Sequence, residues 1–398
     1  MRYKNTIILL SISLFLFFST DRNVSGCTTA VIGTDASANR LPILWKNRDT
    51  GFISNKIIYV KETPYSYIGI VNSNNSSGRQ VWAGLNEQGF AIMNSVAYNL
   101  PKDENELHDL EGIVMADALR KCSSINEFEQ FLKKNLGPAL GVQTNFGVID
   151  KLGNSAIFEV FNHGYKKLDT KDFHGNYIIN TNFSRSGKEG KGAGYLRFER
   201  ASKIFTRIEN GGISIEKIIK NLSRDFGHEL LNHPSLDTVR RFSAKEHYWI
   251  LTKDTIDRSY TSASIIIEGK DHRKSGSVAT LWVIPGEPLS SIATPFWVES
   301  GTTPDLVSSG KDSPIYKESL RIRKILRPFL EREKVEYIDL TKLVNRDGTG
   351  ILPPLLKTEK SIIKETKLFL MSTHEPEEYA EFQKKMTEKA YVTLKKIR

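Results

Sequence analysis

The stretch Gly26-Cys27-Thr28-Thr29-Ala30-Val31-Ile32-Gly33 joins two unlike pieces of chain. Upstream, Arg2 and Lys4 precede an almost unbroken apolar run from Thr6 to Thr20, which has the length of a secretion-signal core and is short for a membrane span. Downstream, Thr28 to Gly33 is a β-branched apolar run that reads as a strand. A cut before Cys27 makes that cysteine the first residue of the mature chain, and Ser25 and Gly26 supply the small residues a signal peptidase inspects. Two other outcomes stay open. Val24-Ser25-Gly26-Cys27 passes as a lipobox, which would leave the sulfur a thioether, although Asp21 and Arg22 interrupt the apolar run such a box follows. A cut near Thr20 would leave a short propeptide to be removed later, for instance by the chain itself.

Of the 398 residues, residues 1–26 are read as this removable leader. The remaining length, about 370 residues, suffices for one large domain or two ordinary ones. No later apolar run reaches membrane-spanning length. The net charge of +10 comes in part from scattered lysines, including Lys384-Lys385 and Lys395-Lys396-Ile397-Arg398 near the C-terminus. Such runs are ordinarily solvated faces, and no nucleic-acid module accompanies them. The chain has two cysteines, Cys27 and Cys122. Export makes a disulfide between them one reading, but Cys122 closes a stretch from Gly112 with helical apolar spacing and reads better as a buried thiol.

Short strand-like runs fill the first part of the chain: Thr28–Gly33, Pro42–Asn47, Lys56–Lys61, Ser66–Val71, Gln80–Ala83 and Phe90–Val96. Helices are predicted over Glu111–Lys121 and Ile125–Asn135, the second capped by Ser123 or Ser124. Strands return at Thr144–Asp150, Ser155–Phe161, Tyr165–Asp169 and Tyr177–Asn180, with a hairpin turn at Asp150–Asn154. Helices over Leu196–Ile208 and Ile213–Leu222 precede strands within Glu246–Lys253, Ser262–Glu268 and Ser277–Val283. From Asp312 the chain is charged and helical, with a last helix from Pro376. The absence of a βαβ rhythm predicts an α+β fold of two antiparallel sheets with helices outside them.

An exposed N-terminal cysteine carries its own base. Its α-amine titrates near 8 and its thiol near 8.5 in model compounds, so the proton passes from sulfur to nitrogen at little cost. The thiolate attacks an amide carbonyl to give a thioester; the amine then protonates the leaving nitrogen and later activates water. Asp49, at the end of the strand after the Cys27 strand, is placed by a hairpin to hold that amine or the thiol. Asn94, ending the strand after Asn86-Glu87-Gln88-Gly89-Phe90, and Asn182, in Asn180-Thr181-Asn182, offer amide donors for an oxyanion.

These pieces together resemble the N-terminal nucleophile amide hydrolases that include choloylglycine hydrolases, penicillin V acylases and acyl-CoA:6-aminopenicillanate acyltransferases. Cys27-Thr28-Thr29, Trp45-Lys46-Asn47-Arg48-Asp49, Asn86 to Asn94, Asn180-Thr181-Asn182 and Leu196-Arg197-Phe198-Glu199-Arg200-Ala201 match in order. The resemblance runs from about Cys27 to Pro285 and implies a four-layer αββα sandwich over residues 27–310, with residues 311–398 as a helical C-terminal extension that has no counterpart. It implies Cys27 as nucleophile, Asp49 as the acid beside it, Asn94 and Asn182 as oxyanion or orienting donors, and Arg197 as a steadying cation. Lys46 stands where the family generally has arginine; as a point donor it weakens the case for bidentate carboxylate recognition, a part Arg48 could take.

Each residue also has an ordinary structural reading. Asp49 can cap a turn, Asn94 and Asn182 can end strands for local reasons, and Arg197 can be a surface residue with Arg200 its rival. His228, His233 and His247 lie close in sequence but fit no zinc spacing. The five tryptophans read as core or pocket wall. The expectation is therefore an exported, periplasmic or extracellular hydrolase of a linear, non-peptide amide, with a small-molecule substrate, no cofactor and no metal, and with homo-oligomerisation left open. Acyl transfer to an amine or thiol is the alternative chemistry, and a lipid-anchored surface binding protein acylated at Cys27 the alternative class.

Overall fold

The computed structural model describes residues 26–75, 77–329 and 336–398. The predicted leader therefore lies outside the described residues, apart from Gly26. In chain order the first half comprises β1 (Thr28–Ile32), β2 (Ile43–Asp49), β3 (Asn55–Val60), β4 (Tyr67–Asn72), β5 (Ala83–Asn86), β6 (Ala91–Val96), α1 (Glu111–Lys121), α2 (Ile125–Asn135), β7 (Gln143–Ile149), β8 (Ser155–Phe161), β9 (Gly164–Asp169) and β10 (Tyr177–Asn180). The second half comprises α3 (Tyr195–Ile208), β11 (Trp249–Leu251), β12 (Thr261–Glu268), β13 (Thr280–Pro285), β14 (Thr294–Phe296), α4 (Pro314–Leu326), β15 (Tyr337–Asp339), α5 (Leu352–Phe369) and α6 (Pro376–Lys396), with several single-turn helices between them.

Two antiparallel sheets lie face to face. One has the order β10-β1-β2-β12-β13-β14 and the other runs in sequence from β3 to β9; β1 and β2 of the first contact β6 and β7 of the second. Helices α1 and α2 cover the outer face of the longer sheet, burying Met115, Leu119, Phe128 and Leu132 against Phe146 and Phe158. Helix α3 turns Ala201, Ile204 and Phe205 onto the outer face of the other sheet, where Phe205 meets Trp45. Helices α5 and α6 continue that outer layer over β14 and share its apolar cluster through Leu355, Ile362, Met386 and Leu394. The order of layers is helix, sheet, sheet, helix. Among the described residues no helix is long and apolar enough to cross a membrane.

Local chemistry explains most element boundaries. Ser124 caps α2 by accepting from the Glu127 N–H at 3.2 Å, and the Asp150–Asn154 hairpin closes with the Asp150 carboxylate receiving the backbone N–H groups of Leu152 and Asn154. The strand expected at Gln80–Ala83 begins only at Ala83. The hairpin turn after Asn86, with Gly89 at φ 82°, sets the register against β6, and Val81 is drawn off to the Gly112 carbonyl beside α1. The helix expected over Ile213–Leu222 starts at Ile215 and widens into a π turn over Ile219–Ser223. Of Glu246–Lys253 only Trp249–Leu251 is strand, paired with β15 in a separate two-stranded sheet.

The two cysteines belong to different layers. Cys122 is a free thiol packed with Leu119, Ile125 and Phe128 under α1 and α2, and burial pushes it up to about 12. Cys27 is also free, at the start of β1 in the other sheet.

Candidate active site

Pairing of β1 with β2 places Thr28 opposite Asn47 and Thr29 opposite Lys46, so Cys27 comes next to the far end of β2. Strand alternation then sorts the neighbours of Cys27 onto two faces. Lys46 and Arg48 point between the sheets, where Lys46 Nζ donates to Asn94 Oδ1 at 2.7 Å and to the Trp82 carbonyl at 2.8 Å. Arg48 donates to Asn55 and Asn72 and lies over the Trp82 ring at 5.0 Å. Both cations are buried among neutral partners, and burial lowers Lys46 to about 8 and Arg48 to about 10, while the negative form of Cys27 acts to raise both.

Asn47 and Asp49 take the opposite face. The Asp49 carboxylate accepts from Arg258 Nε at 2.8 Å and from Thr261 Oγ1 at 2.7 Å. The Cys27 thiol faces the backbone carbonyl of Asp49, at 3.9 Å. A bulge between Thr261 and Ala263 lets β12 follow β2 to this point, bringing Thr261 opposite Asp49.

The bond between residues 26 and 27 is held on both sides by arginines. Arg258 Nη2 donates to the Gly26 carbonyl at 2.9 Å. Arg197 Nη1 donates to the Cys27 carbonyl at 2.8 Å and to Thr28 Oγ1 at 2.9 Å, while its Nη2 donates to Asn182 Oδ1 at 2.7 Å. The same groups crowd the Gly26 α-carbon: a Cβ there would meet Asn182 Cγ at 2.9 Å and Arg197 Nη2 at 3.0 Å.

All seven residues singled out from the sequence thus lie around the start of β1, with altered connections. Arg197, in the first turn of α3, is 2% exposed and points inward. Its rival Arg200 pairs with Asp225 at the rim. Asn182 orients Arg197 through its oxygen and donates its amide to the Val96 carbonyl at 3.0 Å; Asn94 is tied to Lys46 and donates to Thr144 Oγ1 at 3.3 Å. Lys46 reaches neither Asp49 nor its partners, because it stands on the other face of β2. His228 and His233 are neighbours, with ring centroids 5.8 Å apart, whereas His247 is bound to Asp339.

Sequence reasoning missed Arg258. Asp257-Arg258-Ser259 sits just ahead of a long buried strand, a place where charged residues usually mark a turn. Only the pairing of β12 with β2 reveals that this turn arrives at Asp49. Tyr98 is a second omission: its N–H donates to the Asn182 carbonyl at 3.3 Å, while its side chain is exposed.

The Lys46 shift has a measurable sign. Between about pH 8 and its ordinary 10.5 the unfolded chain still holds the Lys46 proton that the folded chain has lost, so this residue adds stability as pH rises through that window and penalises folding below it. Urea unfolding at pH 7.5 and 10 is expected to show this rise in the parent and a reduced rise in Lys46→Met. An unchanged difference between the two pH values would contradict the assignment.

No protein-family model matches the chain, and none of the curated proteins matches it. Among solved structures, a single-residue variant of conjugated bile acid hydrolase from Clostridium perfringens aligns at 12% identity over 68% of this chain and 92% of its own, with a TM-score of 0.40. Penicillin V acylase from Agrobacterium tumefaciens aligns at 14% identity over 68% of this chain and 86% of its own, also at 0.40.

Proposed function

We propose that the chain is an exported amide hydrolase whose nucleophile is Cys27, exposed as an N-terminal residue by cleavage of the bond before it. The observation that carries this reading is the treatment of that one bond: Arg258 donates to the carbonyl before it and Arg197 to the carbonyl after it. Such donors, fixed in advance and shielded from water, stabilise negative charge on oxygen.

In the mature form the freed α-amine takes the thiol proton, and the thiolate attacks a linear amide to form a thioester. The same amine protonates the departing nitrogen and then activates water. Asp49, neutralised in part by Arg258, holds the amine side of the residue; Lys46 with Asn94, and Arg197 with Asn182, frame the reacting carbonyl. Acyl transfer to an amine or thiol uses the same first half.

Intact mass of the purified mature chain tests the reading: a product beginning with unmodified Cys27 that releases amine from a panel of N-acyl compounds supports it. A diacylglyceryl adduct on Cys27 rules it out. Cys122→Ser, in the other layer of the molecule, is expected to keep turnover within about twofold of the parent. Loss of activity equal to that of a Cys27 variant would point to a structural defect shared by both.

A further inference from the structure

A cavity of about 760 Å³ opens between the outer layer of the β12–β13 hairpin and helix α5. It lies at the Glu268 end of β12, whereas the Cys27 site lies at the Thr261 end, seven residues and about 23 Å away along the strand. Its size is that of a small organic molecule. Ile215, Trp282, Ile363 and Leu370 give it an apolar wall.

The polar groups in this wall are incompletely matched. Glu268 is half-buried and receives one hydrogen bond, from Asn39, and no salt bridge joins it to a cation among the described residues. Burial, with the Glu216 charge adding to it, raises the Glu268 carboxyl to about 7. The lining lysines compensate it only in part: Lys367, paired with Glu216, pulls the Glu268 carboxyl down again to some extent, and Lys274 is exposed. Two further lining residues carry orphaned polar atoms. The Trp282 indole N–H and the Thr366 hydroxyl belong to side chains 3% and 0% exposed, and neither has a hydrogen-bond partner. A carboxylate drawn out of water without a cation and two unsatisfied polar groups each carry a penalty that a complementary ligand removes.

We propose that this cavity is a binding site for an organic ammonium compound, with the cationic nitrogen on Glu268 and an apolar body against Trp282, Ile363 and Leu370. The lining favours a cation over an anion, since the carboxylates of Glu216, Glu268 and Asp271 outnumber the two lysines and Glu268 has no salt-bridge partner among the described residues. This site stands apart from the Cys27 chemistry and does not depend on it.

Titration calorimetry of the full chain carrying Cys27→Ser, with hexylamine, hexanol and hexanoate as probes, tests the assignment. Hexylamine is expected to bind at least about tenfold more tightly than hexanol, and hexanoate more weakly than either. Glu268→Gln is expected to bring hexylamine to the hexanol level while leaving hexanol binding intact, which shows the cavity to be preserved. Ile363→Trp, which fills the cavity, is expected to abolish binding of both and serves should Glu268→Gln fail to fold. Absence of hexylamine binding by the folded chain, or hexylamine binding unchanged in either variant, overturns the proposal. Because the catalytic cysteine is already removed, such a failure says nothing about the amide hydrolase reading, and failure of that reading leaves this test standing.

Discussion

Cys27→Ser is expected to lower amide turnover by about 10³-fold or more while leaving the fold intact. Serine is nearly isosteric, and Cys27 lies at the edge of β1 rather than within the apolar layers, so stability has little reason to change. The chemistry has every reason to. An α-amine titrating near 8 can take a proton from a thiol of similar pKa, but not readily from a hydroxyl, which is a much weaker acid. Steady-state kinetics on the best amide from the panel, paired with thermal unfolding, separates the two outcomes. Near-parental turnover in the serine variant would remove Cys27 from the mechanism.

The second large effect is expected at Arg258. Its side chain is 7% exposed and that of Asp49 0%, and the two are joined at 2.8 Å. Arg258→Leu leaves the Asp49 carboxylate buried without its cation, at a cost of about 3–5 kcal/mol in folding stability. It also removes the donor on the Gly26 carbonyl. The double variant Arg258→Leu with Asp49→Leu is expected to regain most of the lost stability, because replacing both members of a buried pair by apolar groups is often close to neutral. Processing before Cys27, followed by mass, is expected to stay impaired in both. Recovery of processing along with stability would assign the arginine a purely structural role.

Much of this architecture was legible in the sequence because short-range chemistry writes it. The α1 and α2 spans follow from apolar spacing with Ser124 as cap, and β8 and β10 from their β-branched runs. Strands β14 and β15, three residues each, leave too little pattern to read; their neighbours in space define them. The site divides the same way. Cys27, Asp49, Asn94, Asn182 and Arg197 could be found because the motifs that carry them lie at strand ends and at the start of a helix. Their partners could not. Whether Asp49 meets the Cys27 sulfur through its carboxylate or its backbone depends on which face of β2 it takes at the bulge opposite Thr261, and Arg258 enters only through a strand pairing spanning more than 200 residues.

The crowding at Gly26 carries a consequence for what the mature protein can accept. On the route in which the chain removes its own leader, the Cys27 sulfur attacks the Gly26 carbonyl before it attacks that of a substrate, and the substrate acyl carbon then takes the region the Gly26 carbonyl now fills. The carbon next to it inherits the walls made by Asn182 and Arg197, which leave no room even for a methyl group on Gly26. The leader thus acts as a template of the acyl group. On that route, N-acyl compounds with a CH₂ beside the carbonyl are expected to be turned over faster than those branched at that carbon, and equal kcat/KM for the two would contradict it.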